Sequence, residues 1–184
     1  LIYDKSVREL LHKKMGQNNC CGRRSEIYKI NECDFENTPV FSLDNETHMA
    51  KVIDIYDGDT VTCAIFIFGK YYKFNVRLAG IDTSELNSKN HQRALQARMR
   101  LFDLVTGNKS VAMDLNLPRK VLREKMKQYN CCVWLKCGVF DKYGRLLGTL
   151  YHLEDREMKT SFNDIMVNEK LAYPYYGDKK LADF

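Results

Sequence analysis

Long apolar runs are missing from this chain of 184 residues. The longest, near residues 64–68, falls far short of the roughly 20 residues that a membrane-spanning helix needs, and it reads as a strand. No membrane partner is indicated. A signal-peptide pattern is missing from the amino terminus, Leu1-Ile2-Tyr3-Asp4-Lys5, and so is an initiating Met, which is compatible with a trimmed targeting segment. A Gly-rich phosphate loop and a doubly wound order of elements are both lacking, which excludes a mononucleotide-binding α/β fold. A disulfide framework is lacking too. The seven cysteines are odd in number and include the adjacent pairs Cys20-Cys21 and Cys131-Cys132, which suits a reducing, intracellular compartment. Cys20 or Cys21 with Cys33 and His12 makes no compact Cys-x-x-Cys knuckle, so structural zinc is not expected and the thiols read as small core or surface groups.

What is present is enough for a folded domain. Hydrophobic residues make up 45% of the chain, which supports a sizeable core and excludes compositional disorder. Lys and Arg outnumber Asp and Glu by 29 to 24. The resulting mild positive balance suits a polyanionic partner without demanding one.

Residues 1–48 read as an amino-terminal extension, packed on or leading into the domain. Within it Ser6–Met15 has a helical pattern that Ser6 and Glu9 begin as a capping box. Residues 49–184 form the main domain. Ala50–Tyr56 alternates poorly but is rich in strand formers; Thr60–Phe68 and Tyr71–Leu78 follow, giving a three-stranded antiparallel meander. His91–Val105 is a helix with Leu95, Met99 and Phe102 on its buried stripe, stopped by Gly107. Ser110–Leu115 is a strand candidate. Pro118 opens a basic helix over Val121–Tyr129, in a segment 116–132 that carries Arg119, Lys120, Arg123, Lys125 and Lys127. Those charges fit either a solvated surface or a nucleic acid backbone. Cys131–Phe140 and Arg145–Tyr151 are strands, Ser161 caps a last helix with Asp164 at its third position, and aromatic residues close the chain. The class is α+β, a five-stranded barrel of the oligonucleotide-binding type, its strands in antiparallel order, with helices.

Three short blocks carry chemistry: Asp57-Gly58-Asp59-Thr60, Arg77 to Glu85, and Asp141-Lys142-Tyr143-Gly144-Arg145. Cleaving a phosphodiester takes an aligned, deprotonated water and neutralised charge on phosphorus and on the leaving oxygen. Asp59 and Asp82 stand at strand ends, where two carboxylates converge on one hard cation, and Thr83 adds a carbonyl or hydroxyl. Oxygen-only ligation selects calcium or magnesium over zinc. Glu85, three residues beyond Asp82, is the candidate base. Arg77 and Arg145 offer planar forks to phosphate oxygens. Lys142 and Tyr143 could hold a neighbouring phosphate, and Tyr175 and Tyr176 could stack on a base or sugar. Each residue alone is an ordinary turn or surface group; the conjunction is what carries weight.

These blocks resemble the staphylococcal nuclease family over about residues 49–176. The resemblance implies that Asp59, Asp82 and Thr83 are calcium ligands, that Glu85 acts on water, and that Arg77 and Arg145 clamp phosphate. It also puts Lys142 and Tyr143 at a terminal phosphate, and likens Asn163 and Leu171-Ala172 to the family's last helix. It implies cleavage of single-stranded or frayed DNA, or of RNA, to products ending in a 3′-phosphate. Four departures stand out: Ser84 in place of the usual Pro, a shorter loop after Glu85, Lys170 in place of a helix-ending Gly, and the added segments 1–48 and 116–132. The rival reading is a nucleic-acid or protein-binding module of the same fold that no longer turns over. A third is a genome-processing enzyme of a large DNA virus, where such domains with extensions occur. The sequence assigns no oligomeric state.

Overall fold

The computed structural model describes residues 26–27, 29–107 and 114–177, and two compact units divide between Phe41 and Ser42. In the first, residues 29–31 are helical. The following turn is closed by Asn37 N–H donating to Asp34 Oδ1 at 2.7 Å and Asp34 N–H donating to Asn37 Oδ1 at 3.1 Å. The helix expected at Ser6–Met15 lies outside the described residues, as do residues 110–113 of the strand candidate. Asp114 and Leu115, its described end, belong to no strand.

Along the second unit run β1 (Thr47–Ile55), β2 (Thr60–Ile67), β3 (Lys70–Leu78), β4 (Ile81–Asp82), α1 (His91–Thr106), α2 (Arg119–Met126), β5 (Cys132–Phe140), β6 (Leu146–His152), α3 (Phe162–Asn168) and β7 (Tyr173–Pro174). Strands β1, β2, β3, β6 and β5 close in that order into a barrel, with β5 pairing back on β1. The meander is as expected, but β3 and β6 run parallel, which corrects the all-antiparallel order. Period-two alternation says which face of a strand is buried, not which way its neighbour runs. The parallel pair therefore left no trace in the residue pattern. Val61, Cys63, Ile65 and Ile67 of β2 face the core with Val76, Leu78, Leu135, Leu146 and Leu150, while Thr60, Thr62, Ala64 and Phe66 face outward.

The poor alternation of β1 has a structural cause. Its pairing with β2 slips between Val52 and Asp54, a bulge that puts Asp54 opposite Thr62 on the outward side. Helix α2 begins two residues earlier than expected, right after Pro118, and buries Leu122 and Met126 one turn apart. Its Arg119 and Arg123, on the same face, both donate to Asp54 Oδ2, at 3.0 and 2.7 Å. Two of the five positive groups of the segment 116–132 are thus committed within the protein.

Helix α1 buries Leu95, Met99 and Phe102 as its stripe predicts and ends at Gly107, whose φ of 68° is the left-handed cap. Ser161 caps α3, its Oγ accepting from Asp164 N–H at 2.9 Å. Asn163 donates to Ala79 O at 2.8 Å, tying that helix to the chain just after β3. The helix stops at Asn168, so Leu171-Ala172 lies beyond it and leads into β7.

Candidate active site

Three local conformations bring the blocks together. The turn between β1 and β2 places Asp59 beside the end of β3, where Leu78 N–H donates to Asp59 O at 2.7 Å. Gly58 is required there: a Cβ would lie 2.6 Å from Ala97 Cβ and 3.0 Å from Thr83 Cγ2. Next, β3 turns through Gly80 into β4, which pairs with β7 and presents Asp82 and Thr83. Finally, the β5–β6 hairpin turns through Gly144, at φ 77°, with Asp141 N–H donating to Arg145 O at 2.8 Å.

All six residues expected to carry the chemistry, Asp59, Arg77, Asp82, Thr83, Glu85 and Arg145, line one cleft of about 480 Å³. Arg77 stands at its centre. Its Nη1 donates to Asp59 Oδ1 at 2.8 Å and its Nη2 donates to Asp82 Oδ1. Both aspartates are 2% exposed. The remaining oxygens are also held: Thr83 N–H reaches Asp59 Oδ2 at 3.2 Å, and the Tyr173 hydroxyl donates to Asp82 Oδ2 at 2.7 Å. Arg145 is aimed by its own turn, its Nε on Asp141 Oδ2 at 2.7 Å. Burial raises the Asp141 carboxyl, yet the N–H groups of Arg145 and Tyr143 and the Arg145 side chain outweigh it and hold it below the usual range.

Negative charge is in surplus around Arg77. Burial, then the charge of Asp59, pushes Asp57 up to about 7. Burial lowers Arg77, but Asp59 and Asp82 outweigh it and raise it further. Three buried or part-buried carboxylates facing one guanidinium make a place where added positive charge is welcome. Every donor is oxygen, which fits a hard divalent cation. Among the described residues no three His, Cys, Asp or Glu side chains are gathered as metal ligands. Asp59 and Asp82 each give an oxygen to Arg77, so a cation bound here would also need oxygens from Thr83, water or a ligand.

The four predicted substrate contacts are not among the cleft's lining residues. Tyr175 lies under Arg77, ring centroid to Cζ 5.9 Å, and Tyr176 packs beside Gly80. Tyr143 lies under Arg145 at 5.5 Å and beside Lys142 at 5.1 Å. Tyr56 and Asn75, which were not foreseen, line it too, as do Asp57 of the first block and Arg119 of the basic segment. Arg119 rests on the Tyr56 ring, 4.7 Å from its centroid. Tyr173 was missed as well. Its only signal was membership of the closing aromatic run, since its reach to Asp82 depends on the two-residue β4–β7 pairing. Ser84 is buried, with no hydrogen-bond partner for its Oγ. Five described cysteines are free thiols; Cys20, Cys21 and His12 lie outside the described residues.

A model of staphylococcal nuclease homologues matches residues 75–183, more than half of the chain. The match takes in Arg77, Asp82, Thr83, Glu85 and Arg145 and begins after the Asp57–Thr60 turn. No curated protein matches the chain.

Proposed function

The chain belongs to the staphylococcal nuclease family, and from that premise we propose that it hydrolyses phosphodiesters of nucleic acid in a cation-dependent reaction. The observation that carries the reading is the convergence of all six candidate residues on one cleft. A binding module that has lost turnover has no use for a base, two phosphate clamps and two buried aspartates in one place. Calcium, or magnesium in its stead, would be held by Asp59, Asp82 and Thr83. It would supply Lewis acidity at a phosphate oxygen and lower the pKa of water.

The protein's own groups do the rest. Arg77 and Arg145 bind the nonbridging oxygens and gain strength as charge builds on five-coordinate phosphorus. To reach them, the substrate phosphate takes over hydrogen bonds that Asp59, Asp82 and Asp141 hold in its absence. Glu85 accepts the proton of the attacking water. The P–O5′ bond breaks, the leaving 5′ oxygen is protonated from solvent, and the phosphate stays on the 3′ side. A small cleft on the barrel surface takes in one strand more readily than two, which supports single-stranded or frayed DNA or RNA as substrate. Free thiols in the barrel core support a reducing compartment.

The test is cleavage of a labelled single strand with calcium, with magnesium and with chelator, repeated with Glu85→Gln and Arg145→Ala. Calcium-dependent cleavage lost in both variants is expected. Cleavage that either variant leaves intact overturns the assignment. Tight, salt-sensitive binding with no cleavage in any condition favours the binding module.

A further inference from the structure

The register of the β2–β3 hairpin extends the cleft along the outside of the barrel. Thr60 pairs with Arg77, Thr62 with Asn75, Ala64 with Lys73 and Phe66 with Tyr71, so these pairs all point to one face. The first two line the cleft. Strand β1 widens the strip: Asp54 lies opposite Thr62, carrying Arg119 and Arg123, and Lys51 lies opposite Ala64. Leaving the cleft, one therefore meets Arg119, then a row of Lys51 and Lys73 with small Ala64 between them, then Phe66 and Tyr71.

That last pair is unusual for a protein surface. Phe66 is 54% exposed and Tyr71 77% exposed, yet they touch edge to face with centroids 5.0 Å apart. The contact keeps two large rings ordered in water instead of folded onto the core. From Thr60 to Leu78 the sequence holds three basic residues and no acidic one. Asp54, the acid opposite Thr62, is already held by two arginines.

We infer that this strip binds the single-stranded nucleic acid that runs out of the cleft. Lys51 and Lys73 meet successive phosphates, and Phe66 with Tyr71 forms a platform on which an unpaired base stacks. The strip is about 20 Å long, roughly six steps of antiparallel strand from Arg77 to Tyr71. The inference rests on the nuclease reading for the scissile end and names what that reading leaves open, an unpaired strand gripped away from the chemistry.

The test is binding, measured by fluorescence anisotropy of labelled oligothymidylates of about 4 and about 16 nucleotides. The full chain carries Glu85→Gln to prevent turnover. Phe66→Ala with Tyr71→Ala weakens the long oligonucleotide about tenfold or more and the short one less than about twofold, while Tyr71→Phe restores affinity. Lys51→Ala with Lys73→Ala lowers the slope of log K against log salt by about 1.4. Cleavage of the short substrate by chains that keep Glu85 is unchanged by these substitutions. Unchanged affinity for the long strand overturns the inference. So does an equal loss for duplex, which has no unpaired base to stack, or a loss confined to anionic vesicles. Because these readouts need no turnover, a chain that grips but never cuts refutes the nuclease reading alone. A chain that cuts while its hairpin variants bind as before refutes this inference alone.

Discussion

Two clusters of aspartate and arginine lie on the same side of the barrel and are built in opposite proportion. At the cleft, Asp59 and Asp82 share one guanidinium, Arg77, with Asp57 beside them. Under α2, two guanidiniums share one carboxylate, Asp54. The second cluster balances well for a stable protein. The arginines keep contact with water, the aspartate is buried, and the bonds pin α2 to the bulge in β1. The first is poorly balanced for stability, since burial and then the neighbouring charge of Asp59 drive Asp57 up to about 7. A fold tolerates such surplus where a ligand is to supply the missing charge. On the function proposed above, the difference separates a cluster that fastens an element from one that would receive a cation and a phosphate.

Removing the central arginine is the strongest way to break this comparison. Arg77→Ala takes away the proposed phosphate clamp and leaves Asp59 and Asp82 facing each other, so turnover on a labelled single strand is expected to fall by about 10²–10³ or more. In steady-state kinetics the loss appears in kcat as well as in kcat/KM, because the guanidinium gains strength only as charge develops. A variant whose turnover stays within twofold of the parent would show the cleft's charge surplus to be structural.

The reciprocal change acts on stability. Asp54→Asn leaves Arg119 and Arg123 without their carboxylate, and because they can turn to water the cost is about 1–2 kcal/mol. That lowers Tm by about 2–8 °C, with kcat on a short substrate held. Its pH dependence sharpens the point. Burial raises Asp54, but hydrogen bonds and charge from Arg119 and Arg123 outweigh it and hold it below its ordinary 3.8. A carboxylate lowered by folding contributes stability that is fully present above the unfolded value and is lost as pH falls through the folded one. Parent and variant therefore differ in urea midpoint at neutral pH, begin to converge below about pH 3.8, and meet only once the folded carboxyl is itself protonated. A gap that persists into acid would mean that shape, not charge, fastens α2.

The cleft was far more legible in the sequence than the cluster under α2, for a physical reason. Arg77, Asp82, Thr83 and Glu85 are neighbours along the chain, and Asp59 and Arg145 sit beside glycine turns whose geometry is local. Asp54 and its arginines are separated by 65 and 69 residues, and only the β1 bulge and the docking of α2 join them. The same holds for the Tyr173 hydroxyl on Asp82, across 91 residues. Tyr175, Tyr176, Lys142 and Tyr143 were read as substrate contacts from residue type and, for Lys142 and Tyr143, from the family resemblance; all four stand outside the residues that line the cleft. Alternation along β2 was plain, whereas the parallel seating of β6 on β3 depended on a crossover that no local pattern encodes.

A third change, far smaller, tests whether stability and turnover separate as the two clusters suggest. Lys170 follows α3 with φ 59°, a left-handed conformation that an L side chain adopts only at a cost. It is held there because Lys170 N–H donates to Val167 O at 2.9 Å, Leu171 N–H donates to Met166 O at 2.9 Å, and Arg93 Nη2 donates to Lys170 O at 2.6 Å. None of these bonds uses the lysine side chain, so Lys170→Gly keeps them all while relieving the Cβ clash. The relief is partly offset by the greater freedom of glycine in the unfolded chain, leaving a gain of about 0.5–1 kcal/mol. Thermal unfolding should rise by about 1–4 °C with kcat and KM unchanged. The backbone here leads directly to Tyr173, so a fall in kcat with this variant would instead show that the turn aims the Tyr173 hydroxyl at Asp82, and that part of the cleft's charge balance is set by a strained residue outside it.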